Sequence, residues 1–212
     1  MKIENLLKQA MDKFNTFDPE IAVKKLAVND YLGIEHGEGD IRNKKEVGNY
    51  CFFPGFIELL RPIQIIELGS AMGVTINCML SSSYKDFELY GITLAERGKE
   101  FCFIKKDTYP NLHMIIGDYM DLSNWPKDLD LGKTDFWYVD GLHLGKHVKE
   151  ELLLYKQFFK PGTIIAFDDI FINGSMAEVW HDLENILDIG FKTTLPLHWT
   201  GWGIVQIGKK NR

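Results

Sequence analysis

Ile63-Gln64-Ile65-Ile66-Glu67-Leu68-Gly69-Ser70-Ala71-Met72-Gly73 is the stretch on which the fold turns. Ile63 to Leu68 is a short apolar strand, entered after Pro62 and left through glycine turn chemistry. Gly69 allows a sharp turn, and its missing side chain lets a ligand lie against the backbone. Gly73 falls where the next helix, Val74 to Ser81, must approach the strand. A strand, a glycine turn and a helix in that order open a parallel sheet whose ligands sit beyond the carboxyl ends of its strands.

Downstream the rhythm continues. Phe87 to Leu94 reads as a strand, Glu96 to Lys106 as a helix, and Leu112 to Gly117 and Asp135 to Val139 as strands. His147 to Phe159 is a helix closed by Lys160-Pro161-Gly162, and Thr163 to Phe167 is the fifth strand. This alternation predicts an α/β fold with a doubly wound, mostly parallel, Rossmann-like sheet. The end differs: Phe191 to Leu197 and Trp202 to Ile207 are separated only by His198 to Gly201. A gap that short allows a hairpin but no helical crossover, so the final two strands should be antiparallel.

Upstream, Ile3, Leu6, Leu7, Ala10, Met11 and Phe14 share one face of an amphipathic helix. Asp18-Pro19 is a helix start, and that second helix runs to about Tyr31. From Gly33 to Gly48 glycines and charges alternate, which reads equally as a lid over a site or as a connector. A short helix, Phe52 to Leu60, leads into the sheet. Residues 1–60 are thus expected to form a helical cap and lid loop, part of one domain with a core over residues 61–212.

The bulk numbers narrow the function classes. A chain of 212 residues with 45% hydrophobic and 25% charged residues suits a globular domain with a full core. The formal net charge is -6 and no stretch gathers Lys and Arg, so binding to nucleic acid is not expected. Cys51, Cys78 and Cys102 are odd in number and lack metal-ligand spacing, which reads as reduced thiols in a cytoplasmic protein. Met1 to Phe14 has no continuous apolar region, and no run reaches membrane-spanning length. The amphipathic first helix leaves room for packing against a second subunit in a homo-oligomer.

The turn itself discriminates among ligands. A dinucleotide fold wants G-x-G-x-x-G, whereas Ser70 and Ala71 interrupt that spacing here. Glu67 would repel a pyrophosphate but suits a ligand carrying positive charge. With Glu67, Gly69 and Gly73, the turn resembles the first motif of the class I methyltransferases, E/D-x-G-x-x-x-G. The resemblance implies that Glu67, Gly69, Ser70 and Gly73 hold S-adenosylmethionine. In that family the second strand often ends in an acid that takes the ribose hydroxyls; here Thr93 stands in that place, with Glu96 about one turn away. Glu96 either adds a ribose contact or only caps the following helix electrostatically. After the third strand, the resemblance gives Asp118 to the adenine amino group and packs Tyr119 against the ring, although Asp118 could be an ordinary loop carboxylate.

A second block lies at the later strand ends. The fourth strand ends in Asp140-Gly141-Leu142-His143 and the fifth in Asp168-Asp169. Adjacent parallel strands are under about 5 Å apart, so these carboxylates should converge beside the turn. Such a cluster is costly unless a cation neutralises it or one acid keeps a proton, and a hard divalent ion such as Mg²⁺ suits all-oxygen ligands. The block resembles the O-methyltransferases of the catechol type and the bacterial sugar-directed group. That resemblance implies Asp140, Asp168 and Asp169 as metal ligands, Asp140 also beside the cofactor, and His143 as the base acting with Asp140.

The activity so implied is metal-assisted O-methylation of a small hydroxylated acceptor, a sugar or secondary metabolite. Two departures bear on the acceptor pocket: Leu142 replaces a second Asp of the related bacterial sequences, and Leu144-Gly145 replaces Ser-Tyr. Three bland readings stand beside these. His143 could be a helix N-terminal packing residue, Asp168-Asp169 a solvated cap, and Trp199 and Trp202 core aromatics rather than pocket walls. His147, His181 and His198 read as surface or packing residues. A metal-independent methyltransferase and a non-catalytic cofactor-binding module remain the competing functions, while the turn spacing disfavours an NAD-dependent oxidoreductase.

Overall fold

The computed structural model describes residues 2–16, 48–71, 73–94, 109–197 and 199–208. Its strands are β1 (Gln64–Leu68), β2 (Glu88–Thr93), β3 (Leu112–Ile116), β4 (Phe136–Val139), β5 (Ile164–Phe167), β6 (Ile189–Leu195) and β7 (Trp202–Ile207). They form one sheet in the order β3-β2-β1-β4-β5-β7-β6. Neighbours from β3 to β5 pair parallel, and β7 runs antiparallel to both β5 and β6. The expected antiparallel ending is therefore present, with β7 inserted between β5 and β6. The chain leaves β1 toward β2 and β3, then returns to place β4 on the other side of β1. That reversal opens a crevice at the carboxyl ends of β1 and β4.

The helices are α1 (Ile3–Thr16), α2 (Phe52–Leu60), α3 (Val74–Leu80), α4 (Gly145–Tyr155) and α5 (Gly174–Ile186). Side chains alternate across each strand, so Ile65, Leu89 and Phe136 face one layer while Ile66, Leu68 and Trp137 face the other. The first layer takes α1, α2 and α3; the second takes α4 and α5. Being covered on both faces, β1 is buried along its whole length, which is why it reads as a continuous apolar run. Helix α1 lies on α2 and carries an ion pair between Lys13 Nζ and Glu58 Oε1 at 2.8 Å.

Several boundaries move. Helix α4 starts at Gly145 rather than His147 and ends at Tyr155, with Lys156–Phe158 tightening into a 3₁₀ turn. Strand β6 begins at Ile189 and ends at Leu195, with an irregularity between Ile189 and Phe191. Helix α5 has no counterpart among the expected elements. Asn173 caps it by accepting from Met176 N–H, and Met176, Trp180 and Leu183 are its buried residues. The expected helices at Asp18–Tyr31 and Glu96–Lys106, and the Gly33–Gly48 loop as far as residue 47, lie outside the described residues. Among the described residues no helix is long and apolar enough to cross a membrane.

Candidate active site

The glycine turn brings two strand ends into contact. Gly69 has φ +91°, and a Cβ built there would lie 2.2 Å from the Asp140 carbonyl oxygen. No side chain fits, so the end of β1 touches the end of β4. Gly69 and Ser70 N–H groups both donate to the Ile92 carbonyl, at 3.0 and 3.2 Å, and tie the turn to β2. Gly73, with φ +76°, sits at the start of α3.

Glu67, one residue before the end of β1, is fully buried, and its Oε2 has no hydrogen-bond partner. Burial pushes its pKa up to about 7, partly offset by the hydroxyls of Ser70 and Thr75, while Asp168 pushes it further up. An orphaned buried carboxylate oxygen beside a bare glycine turn is matched by a ligand bearing a cationic donor. The ammonium group of S-adenosylmethionine meets that demand; a pyrophosphate does not.

Across the crevice, His143 links two strand ends. Its Nε2 lies 3.5 Å from Asp140 Oδ1 and its Nδ1 lies 3.5 Å from Asp169 Oδ2. Both distances exceed a good hydrogen bond, so neither ring nitrogen is locked by its carboxylate. Asp169 takes φ +53°, a left-handed conformation that Asp tolerates better than most residues. The Thr200 hydroxyl donates to Asp169 Oδ1, and the Asn173 amide donates to the His143 carbonyl at 2.8 Å. Asp168 is buried, and the Trp202 indole and the Asp169 N–H act on it to favour its charged form. Its Oδ1 is buried without a partner, and burial with the neighbouring Asp169 raises its pKa to about 6, against the lowering effect of His143.

The expected convergence of Asp140, Asp168 and Asp169 is thus partial. All stand on one edge and Asp169 acts on Asp168, but the left-handed turn at Asp169 sends its side chain toward Thr200 and His143. Among the described residues no three His, Cys, Asp or Glu side chains are gathered closely enough to hold a metal ion. In donor chemistry the set suits a hard divalent ion: oxygen ligands only, with one buried oxygen unsatisfied.

Thr93 is buried at the end of β2, and its carbonyl accepts from Gly117 N–H at 2.7 Å. Glu96 lies outside the described residues. Asp118 Oδ1 accepts the Met120 N–H at 2.9 Å, which spends one oxygen on its own loop. Tyr119 is turned into the protein: its hydroxyl shares a 2.8 Å hydrogen bond with His147 Nε2 and accepts the Leu142 N–H at 3.2 Å. Of the two tryptophans, Trp202 is core and reaches Asp168, whereas Trp199 is 87% exposed. Leu142, Leu144, Phe171, Ile172 and Trp199 together present exposed apolar surface from the loops that carry the site.

Residues 66–170 match the sequence model of a family described as a methyltransferase domain. No curated protein matches the chain. Among solved structures, an O-methyltransferase from Bacillus cereus in complex with S-adenosylhomocysteine aligns with TM-score 0.65 at 12% identity, over 89% of this chain and 91% of that one. A methyltransferase from Podospora anserina bound to S-adenosylhomocysteine gives 0.63 at 13%, covering 91% and 89%. An O-methyltransferase from Streptomyces achromogenes in complex with S-adenosylmethionine gives 0.62 at 12%, covering 90% and 91%. At these identities the likenesses establish the fold.

Proposed function

We propose, for a chain whose residues 66–170 are a methyltransferase domain and which is therefore an S-adenosylmethionine-dependent methyltransferase, that its reaction is O-methylation of a small hydroxylated acceptor. The observation that carries this reading is the imidazole of His143 held between Asp140 and Asp169, across the crevice from the glycine turn. Glu67, Gly69, Ser70 and Gly73 receive the methionine part of the cofactor, and Thr93 and Asp118 flank its nucleoside. Glu96 and Tyr119 complete the set that the family resemblance assigns to the cofactor.

His143 accepts the proton of the acceptor hydroxyl, and the flanking carboxylates stabilise the imidazolium that results. The oxygen then attacks the sulfonium methyl group in line. Orientation of the two reactants supplies much of the rate, and no covalent enzyme intermediate is required. Asp140, Asp168 and Asp169 are the groups that would hold a divalent cation such as Mg²⁺. When bound, it would make the acceptor hydroxyl more acidic. The unsatisfied buried oxygen of Asp168 supports that part of the reading. An apolar rim at Leu142, Phe171 and Trp199 favours acceptors with an apolar or aromatic body, such as secondary metabolites, over bare sugars.

The test is release of S-adenosylhomocysteine from S-adenosylmethionine on a panel of phenols, catechols and sugars, each with Mg²⁺ or with EDTA. Turnover of a hydroxyl acceptor that collapses in EDTA and returns with Mg²⁺ supports the whole reading. Full turnover in EDTA removes the metal and leaves His143 as the base. Methylation confined to nitrogen or carbon acceptors overturns the O-methylation.

A further inference from the structure

Behind the reacting edge lies a polar cluster of which only Tyr119 has been given a part above, beside the cofactor. Tyr119, His147, Tyr155, Trp125 and Glu151 meet beneath the loop joining β4 to α4. The Tyr119 hydroxyl accepts the Leu142 N–H at 3.2 Å and shares a 2.8 Å hydrogen bond with His147 Nε2. Its ring crosses under Gly141 so closely that a Cβ there would sit 2.1 Å from the hydroxyl oxygen. The other end of Tyr119 is fixed as well. The Tyr155 hydroxyl donates to the Tyr119 carbonyl, and the Trp125 indole donates to the Tyr155 hydroxyl at 2.8 Å.

Gly141 and Leu142 are the two residues between Asp140 and His143. The separation of those side chains therefore depends on how firmly this short link is held. Asp140 is anchored by its N–H donating to Leu68 O at 2.9 Å, and the His143 carbonyl by Asn173 at 2.8 Å. The link between them is gripped by Tyr119 from below. A tyrosine so placed has its hydroxyl committed to protein groups and its ring under backbone, rather than presented to a nucleoside.

We propose that Tyr119 is a positioning residue for methyl transfer: its hydroxyl, held by His147, pins the Gly141–Leu142 link and so sets the spacing of Asp140 and His143. The proposal rests on the reading of Asp140 and His143 as the reacting edge. It shifts the part played by Tyr119 from adenine packing to the geometry of the catalytic loop.

The test compares Tyr119→Phe, His147→Phe and His147→Gln with the parent protein, using two independent readouts. The first is amide hydrogen exchange over residues 140–144, with residues 64–68 of β1 as an internal control. Tyr119→Phe and His147→Phe should speed exchange in the loop by about tenfold and leave β1 unchanged. His147→Gln, which can still hydrogen-bond the phenol, should restore protection. The second readout is turnover with catechol as the probe acceptor. There kcat should fall by about tenfold in both Phe variants, with KM and the S-adenosylmethionine Kd within about twofold, because geometry and not binding is disturbed.

His147 is half-buried, so its variants keep the test valid if Tyr119→Phe folds poorly. Loop exchange and kcat within twofold of the parent in every variant would overturn the proposal. So would a weakened cofactor Kd with kcat unchanged, which returns Tyr119 to the nucleoside pocket. If the parent protein transfers no methyl group to any acceptor, the O-methylation reading fails, while the exchange measurement still decides the pin.

Discussion

Asp169 Oδ2 stands 3.5 Å from His143 Nδ1, which couples the end of β5 to the loop that follows β4. The imidazole thereby faces a carboxylate from a different strand, an arrangement suited to a base that must become cationic. Replacing His143 by Asn should lower methyl transfer by about 10²- to 10⁴-fold, the usual worth of a positioned base. Binding of S-adenosylmethionine, followed by calorimetry, should change little. A large loss of cofactor affinity at unchanged turnover number would move His143 from the chemistry to the binding pocket.

Gly69 bears on the cofactor and on the fold at once. In Gly69→Ala the methyl group would meet backbone, the Asp140 carbonyl at 2.2 Å, at a φ of +91°. Such a conformation costs a non-glycine residue on the order of 1–3 kcal/mol before the clash is counted. The midpoint of thermal unfolding should drop by several degrees, at about 2–4 °C per kcal/mol for a domain of this size. The upward shift produced by added S-adenosylhomocysteine should shrink or vanish. A variant with parental stability and an undiminished ligand shift would show that the β1–β4 contact is dispensable.

Glu151 makes folding stability depend on pH. It is buried on α4 with neither carboxylate oxygen hydrogen-bonded, and burial raises its pKa from 4.5 to about 8. Below pH 4.5 the acid is protonated folded or unfolded and imposes no penalty. As pH rises toward 8 the unfolded chain ionises while the folded one resists, so stability is lost across that window. Each tenfold weakening of the acid corresponds to about 1.4 kcal/mol. Urea unfolding from pH 4 to 9 should show Glu151→Gln matching the parent at the acid end and exceeding it by a few kcal/mol near pH 8. Equal stability of the two proteins at every pH would mean that Glu151 titrates alike in the folded and the unfolded chain, and that burial imposes no penalty on its charge.

The strands were legible because burial on both faces leaves runs such as Ile65-Ile66 and Phe136-Trp137 with little alternative. Asp140, Asp168 and Asp169 were legible as strand-end carboxylates, since a parallel sheet places such ends on one edge. Helix α5 was not, because its buried face rests on few residues, Met176, Trp180 and Leu183, and Gly174-Ser175 open it with poor helix formers. Its one strong local signal was Asn173, an N-cap followed three residues on by Met176. Thr200 could not be found from spacing, for it reaches Asp169 only because β7 folds back beside β5. The partial closure of the carboxylates was hidden for a similar reason: it follows from the backbone sign at Asp169, which residue type permits but does not dictate.

Asn173 holds two jobs on one amide, and a pair of substitutions separates them. Its Oδ1 accepts Met176 N–H at 3.0 Å and caps α5, while its Nδ2 donates to the His143 carbonyl at 2.8 Å. Asn173→Ala removes both and should cost about 1 kcal/mol through the lost cap. Asn173→Asp keeps an acceptor at the helix start, where negative charge is favoured by the helix dipole, but turns an acceptor toward the His143 carbonyl. Its thermal midpoint should therefore stay near that of the parent, while turnover falls as far as in Asn173→Ala. Full activity in Asn173→Asp would show that the His143 backbone is held well enough without the amide. A midpoint as low as that of Asn173→Ala would instead place the stabilising role in the His143 contact and not in the cap.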